Sequence, residues 1–125
     1  MKKLRIKAIL AGIVADFGLS IVLGLLIGIG AADTGVGQSE VKSVGFLIMS
    51  LVIGLPPVIL GGYVAARMAR SDMVLNASMV GVFATAFTLL FSHVFPTWYL
   101  LANCIVLIPC AIGGAQLAIH RGGKP

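Results

Sequence analysis

Asp16 is the residue whose chemistry stands out first, because it is the only charged side chain in the apolar run 8–32. It lies nine residues after Lys7, which is about 13 Å along a helix and close to the middle of a bilayer core. A charge at that depth costs at least about 2.5–3.5 kcal/mol. The carboxyl group must therefore be protonated, paired or hydrated, and no basic residue at the same depth offers a pair.

Two interpretations of Asp16 follow from this position. In the first, Asp16 is a proton or cation site. In the second, which we favour on sequence grounds, it is a neutral acid that joins helices by a hydrogen bond to a Ser, Thr, Asn or Tyr side chain. The observation that separates them is whether Asp16 lines a water-accessible cavity or is sealed between helices.

Three prolines inside apolar segments form a second group of candidates, namely Pro56, Pro57 and Pro109. Each removes a backbone donor and frees a carbonyl one turn earlier. Broken helices at corresponding positions of two halves can mark a substrate or ion site. The alternative, which we favour, is a kink whose freed carbonyls bond to nearby hydroxyls. Suitable hydroxyls are those of Ser50, Thr85 and Thr88.

The other polar residues offer little chemistry. Cys104 and Cys110 stand six apart in an apolar run, lack the spacing of a metal or redox motif, and are interpreted as packing residues. Asn103 and Gln116 are interpreted as joining helices rather than binding substrate. We expect no catalytic residues, no metal and no cofactor, and therefore no enzyme.

The elements that position these residues are set by composition. The 125 residues are 59% hydrophobic and 10% charged, against roughly 45–50% and about 25% in soluble domains. A soluble domain of this size could not bury that much apolar surface. This excludes a soluble enzyme, a disordered tail and a nucleic-acid-binding domain, and it predicts one integral membrane domain over residues 1–125.

Four segments are long enough to cross a membrane, which takes about 20 apolar residues. They predict an all-α, four-helix membrane bundle with helices at about 7–31, 43–68, 74–93 and 98–119. Pro96 is expected to end the third helix, beside an interfacial group of Phe95, Trp98 and Tyr99. The first apolar run is too long for a signal peptide and contains Asp16, so we expect it to be retained.

The cations predict the orientation. With four spans, eight of the nine lysine and arginine residues fall on the side of the two termini, and only Lys42 falls on the other. The positive-inside rule then places both termini in the cytoplasm, in a multi-pass protein of the inner (plasma) membrane. The bilayer is the expected partner, and nucleic acid is not.

Small residues predict how the helices pack. In the first helix a small or polar residue recurs at every fourth position, and helices in lipid associate through such faces. The packing residues predicted over the whole chain are Gly12, Ser20, Gly24, Gly28, Gly61, Gly62, Gly81, Gly113 and Gly114. The pattern Pro-x-x-x-Gly-Gly occurs at 57–62 and again at 109–114, which suggests a duplicated helical hairpin.

Two motifs carry a resemblance. The second helix ends in Gly-Gly-Tyr-Val-Ala-Ala-Arg at 61–67, and the third opens with Asn-Ala-x-x-Val-Gly at 76–81. Together with Asp16 they resemble a type of small uncharacterised prokaryotic four-span membrane protein. The resemblance implies a helical membrane fold and brings no activity.

Two transport classes share the length and span count. Small multidrug resistance exporters use a carboxylate in the first helix, where Asp16 is similarly placed, but theirs is Glu and their third helix carries a Trp that this chain lacks. The Phe- and Thr-rich stretch 81–88 faintly resembles the third helix of fluoride channels, without their polar pore residues. The leading hypothesis is a non-enzymatic membrane protein that acts by helix packing, as a homo-oligomer or an assembly subunit. The alternative is a small proton-coupled transporter centred on Asp16.

Overall fold

Four helices make up the computed structural model, which describes residues 4–33, 43–90, 92–93 and 95–122, without the side-chain surroundings of 28–33. They are α1 (Ile6–Asp33), α2 (Val44–Ala69), α3 (Met73–Leu90) and α4 (Thr97–His120). Each contains a stretch long and apolar enough to cross a membrane. The prediction of an all-α bundle of four membrane-spanning helices is confirmed.

The helix boundaries differ from the predicted ones mainly at the end of α3. That helix stops at Leu90 rather than near residue 93, and the Ser92 N–H donates to the Leu89 carbonyl at 3.1 Å to close the last turn. Pro96 does not end α3. It is the N-cap of α4, with φ −66° and ψ 149°, a conformation that proline's fixed φ favours and a position where a missing N–H costs nothing.

The start of α1 and the end of α4 lie at the same end of the bundle. The Arg5 backbone N–H donates to Asn76 Oδ1 at 2.8 Å, and Asn76 Nδ2 donates to the Asp72 carbonyl at 3.0 Å. Arg67 Nη1 donates to the Arg121 carbonyl at 3.2 Å. These bonds bring together the start of α1, the α2–α3 turn and the end of α4. We call this the basic end, after its described cations Arg5, Lys7, Arg67, Arg70 and Arg121.

The helices cross closely where glycines face backbone. A Cβ placed on Gly12 of α1 would lie 2.6 Å from the Gly61 carbonyl oxygen of α2, and one on Gly61 would lie 2.8 Å from the Gly12 oxygen. Gly62 of α2 and Gly114 of α4 likewise face each other's helix backbone. Helix α2 contacts all three other helices, whereas no Cα atoms of α1 and α4 come within 8 Å among the described residues.

The basic half of the bundle is packed mainly by alanine. Ala66, Met73, Ala77, Ala115 and Ala118 form one buried cluster there. A second cluster of Val58, Ala84, Leu107 and Ala111 lies nearer the middle. Short side chains let two helix backbones approach closely, and the close approach adds dispersion contacts between them. Helices in lipid associate through such contacts, because the lipid is as apolar as the side chains and the hydrophobic effect gives no net attraction. In the opposite half, Ile21, Val22 and Leu25 of α1 are all exposed, so α1 leaves the bundle surface open there.

The proline-containing helices are not broken. Helix α2 runs from Val44 to Ala69 through Pro56 and Pro57, and α4 runs from Thr97 to His120 through Pro109. Transmembrane helices accommodate proline through local adjustment when neighbours support the chain. Two of the hydroxyl groups that were expected to bond to the carbonyls freed by proline, those of Thr85 and Thr88, do not do so. Thr88 Oγ1 donates to the Ala84 carbonyl of its own helix at 3.0 Å, and Thr85 Oγ1 is buried without a partner among the described residues.

Candidate functional site

Asp16 lies at the centre of α1 and is 96% buried. On the side of the basic end it sits directly above the α1–α2 glycine crossing. A Cβ on Gly61 would approach the Asp16 Cβ to 2.9 Å and Val80 Cγ1 to 3.2 Å, and one on Gly12 would meet Val80 Cγ2 at 2.9 Å. Helices α1, α2 and α3 are thus in close contact on the basic-end side of Asp16.

On the other side, Asp16 lines a partly open cavity of about 170 Å³, which we call the Asp16 cavity. That volume is enough for several water molecules. All four helices contribute to its wall. The lining residues are Asp16, Phe17, Ser20, Val58, Ala84, Phe87, Thr88, Asn103 and Leu107.

The lining residues occupy a defined range of depth. At 1.5 Å per residue, Asp16, Val58 and Ala84 lie about 15–17 Å from the basic end of their helices. Thr88 and Asn103 lie about 22–26 Å from it by the same count. The cavity therefore extends from the membrane middle, where Asp16 forms its inner end, toward the membrane surface opposite the basic end.

The polar groups of the cavity are mostly oxygen acceptors. Ser20, one turn beyond Asp16 on α1, lines the same cavity. Asn103 Nδ2 donates to the Tyr99 carbonyl at 2.8 Å, and the Thr88 hydroxyl donates within α3. The Thr88 hydroxyl hydrogen and one of the two Asn103 N–H donors are used within their own helices, so these residues offer a bound group mainly oxygen lone pairs.

This set of groups suits one positive charge. The cavity holds a single carboxyl group with neutral oxygens around it, and no group of three or more His, Cys, Asp or Glu side chains able to hold a metal occurs in the described chain. Multivalent metals usually require several anionic or imidazole ligands. A proton, or a small monovalent cation, is the charge that one carboxylate in a membrane cavity can neutralise.

An aromatic contact forms one wall of the cavity. The ring of Phe17 on α1 packs edge-to-face against Phe87 on α3, with centroids 4.7 Å apart, and against Phe83 at 6.2 Å. Edge-to-face pairs contribute about 0.5–1.5 kcal/mol beyond their buried area. The contact joins α1 to α3 beside Asp16.

The predicted packing residues separate into two groups. Gly12, Gly61, Gly62, Gly81 and Gly114 all lie at helix contacts where a Cβ would meet another helix within 3.0 Å. In contrast, no described atom lies within 4 Å of a Cβ on Gly24 or Gly113. Ser20 is exposed and lines the Asp16 cavity, and the surroundings of Gly28 lie outside the described residues.

The stripe on α1 is therefore a packing face within the chain only in its first half. Ala8, Gly12 and Asp16 are buried, whereas Ser20 and Gly24 are exposed. The described residues of α1 beyond Phe17, at positions 18–27, are all exposed or half-buried. The structure places no other helix near Gly24 among the described residues, and its packing role stays a prediction.

The proline positions do not contribute to this site. Pro57 is buried and Pro56 and Pro109 are exposed, and none of the three lines the Asp16 cavity. The two Pro-Gly-Gly segments also pack differently: Gly61 contacts α1, whereas Gly113 at the equivalent position faces open space. The duplicated hairpin stays a prediction, with matching contacts only at Gly62 and Gly114.

Asn103 is the residue that the sequence interpretation did not assign to the site. It is 7% exposed and lines the same cavity as Asp16, although it belongs to α4, whose Cα atoms do not approach α1 in the described chain. The sequence did give one indication, namely that Asn103 is an amide side chain in an apolar span. Burying an amide there costs free energy unless it makes hydrogen bonds. The sequence did not indicate which helix face it shares with Asp16.

Comparison with known proteins adds no family to this picture. No family model, no curated protein and no solved structure matches the chain. The inference about function therefore depends on the geometry of the Asp16 cavity.

Proposed function

We propose that this chain is a small proton-coupled transporter of the plasma membrane, in which Asp16 binds and releases the proton. The observation that supports it is that Asp16 lines a cavity rather than being sealed between helices. The chain is an integral membrane protein of four spans, so a group at that depth is well placed to pass a charge across the bilayer. The same proposal has both termini in the cytoplasm and no enzymatic activity.

The packing around Asp16 gives the proposal a direction. The cavity leads from Asp16 away from the basic end, while the Gly12–Gly61 crossing and Val80 close the path toward it. In the proposed orientation a proton reaches Asp16 from outside, and the glycine crossing is the barrier that must open to release it inside. Glycines at a crossing suit this role, since they leave no side chains interlocked across the contact.

Asn103, Thr88 and Ser20 have a supporting role in this scheme. They provide polar groups over the roughly 10 Å between the membrane middle and the outer end of the cavity. A row of water molecules needs such partners, because a water in an apolar cavity lacks the two to four hydrogen bonds that hold it. The substrate coupled to the proton would occupy the same cavity, which limits it to a small molecule.

Helix packing as a homo-oligomer is the second candidate function, and one observation favours it. Ser20 and Gly24 present small residues four apart on an exposed face of α1, with no described atom near Gly24. Such spacing lets two transmembrane helices approach closely.

The test is proton flux into vesicles. Purified protein is reconstituted into liposomes that contain a pH-sensitive dye, and proton uptake is driven by a potassium diffusion potential, with and without a panel of small cationic solutes. We expect wild-type protein to carry protons above the level of protein-free liposomes, and Asp16→Asn to abolish that flux while folding normally.

Asp72→Asn is the matched control, since it makes the same exchange of atoms in the α2–α3 turn, outside the spans. It should retain wild-type flux. Equal flux in wild type and Asp16→Asn, or wild-type flux no higher than that of empty liposomes under every condition, would contradict the transporter proposal and favour the packing role.

A further inference from the structure

A second cavity lies on the outer surface of the bundle, between α2 and α4. It has a volume of about 370 Å³ and is lined by Pro56, Ile59, Leu60, Tyr63, Leu117 and Arg121. We call it the α2–α4 groove. Five of its six lining residues are apolar or aromatic, and Leu60 and Leu117 are 41% and 50% exposed.

The groove has a charged end and an apolar end. Arg121 directly follows α4 at the basic end, whereas Pro56 lies 13 residues before the last residue of α2. Thirteen residues correspond to about 20 Å of helix. The groove therefore begins at the membrane surface and continues into the hydrocarbon region, parallel to the path of a lipid chain.

Two guanidinium groups belong to the charged end. Arg67 Nη1 donates to the Arg121 backbone carbonyl at 3.2 Å, which holds the Arg67 side chain against the residue that lines the mouth of the groove. Guanidinium groups bind phosphate oxygens in a bidentate manner. Among the described residues, none of those lining the groove is acidic.

We propose that the α2–α4 groove is a binding site for one anionic phospholipid of the leaflet that contains the basic end. Its phosphate bonds to Arg67 and Arg121, and one acyl chain lies along Leu60 and Leu117. Basic pockets between transmembrane helices are known to bind acidic headgroups by this combination.

A second copy of the chain fits the α2–α4 groove less well than an anionic lipid does, because of its charge. Two copies related by an axis along the membrane normal carry the same residues at the same depth. An interface through the groove would then bring Arg67 and Arg121 of both copies together, at a cost from like-charge repulsion. An anionic lipid has the complementary charge.

The experiment measures thermal unfolding of the purified protein in a neutral detergent with added lipid. We expect phosphatidylglycerol to raise the midpoint temperature of unfolding in a saturable manner, because a ligand that binds only the folded state stabilises that state. Phosphatidylcholine with the same acyl chains, and soluble glycerol phosphate, should produce no such rise.

Two variants test the two ends of the groove. The double variant Arg67→Gln/Arg121→Gln should lose more than half of the increase in unfolding temperature that phosphatidylglycerol causes. The matched double variant Arg5→Gln/Lys7→Gln, at the same end of the bundle, should keep that increase. Leu60→Trp fills the groove with all cations in place and should also lose the rise.

Several results would overturn the proposal. Equal rises with both phospholipids would show that the headgroup is not recognised, and a full rise with glycerol phosphate would show a free phosphate site. Equal loss in the Arg5 and Lys7 control would show diffuse surface charge, and an undiminished rise in Leu60→Trp would show that no chain enters the groove. A dimer in cross-linking that Leu60→Trp dissociates would identify the groove as an interface between copies.

Discussion

Gly113 and Gly114 are adjacent in α4, yet the structure predicts opposite effects when each is changed to alanine. A Cβ on Gly114 would lie 2.7 Å from the Tyr63 backbone nitrogen, still closer to the Ile59 carbonyl oxygen, and 3.1 Å from the Ile59 carbonyl carbon. A Cβ on Gly113 would meet no described atom within 4 Å. Both substitutions gain the same helix propensity, up to about 1 kcal/mol, so this contribution cancels in their difference.

The steric cost at Gly114 can be worked from these distances. To restore even the 3.4 Å that bounds ordinary contact, the Tyr63 nitrogen must retreat by about 0.7 Å. The opposing atoms are backbone, so no side-chain rotation relieves the overlap and α4 must move away from α2. A gap of 0.5–1 Å forfeits about a quarter to a half of each dispersion contact along the crossing. Overpacking of this kind costs about 1–3 kcal/mol.

We therefore expect Gly114→Ala to be less stable than Gly113→Ala by about 1–3 kcal/mol, with Gly113→Ala equal to or above wild type. The assay is reversible unfolding in mixed micelles, followed by far-ultraviolet circular dichroism as the fraction of denaturing detergent is raised. Equal stability of the two variants, or a more stable Gly114→Ala, would refute the inference that α2 and α4 cross in backbone contact.

Three further predictions concern other parts of the chain. Reporter fusions should place the end of the chain after Lys124 in the cytoplasm and the 35–40 region outside, and the opposite result at either site would contradict the orientation. Asp16→Asn should leave stability nearly unchanged, whereas Asp16→Leu should lose about 1–3 kcal/mol in the same unfolding assay by leaving polar partners unpaired. Gly24→Leu should not lower the stability of the single chain, but should abolish any dimer seen by cross-linking; unchanged dimerisation would exclude that face.

The fold class and the number of spans of this protein follow from the sequence because both depend on single segments. The free energy of placing a helix in lipid is a sum over its own residues, so four long apolar stretches indicate four spans without knowledge of their neighbours. The depth of Asp16 follows in the same way from its distance along α1. The inference that its carboxyl group must be protonated, paired or hydrated needed no knowledge of a partner, since a charge at that depth is costly in lipid.

Which residues meet across helices was decided by the tertiary structure. Gly12 and Gly24 belong to one stripe, but Gly12 meets the backbone of α2, whereas Gly24 has no other helix near it among the described residues. Gly113 and Gly114 are chemically identical, and a rotation of about 100° around α4 separates the open position from the crossing.

The site itself shows the same division between local and tertiary information. Asp16 could be selected from the sequence, because a lone carboxyl group in an apolar run has a high free energy in lipid unless it is protonated, paired or hydrated. Asn103 joins it only through the arrangement of all four helices around one cavity. A pattern along one helix gives the depth and face of a residue, but the helix opposite that face depends on how the backbones cross, and those crossings are set by contacts between residues far apart in the chain.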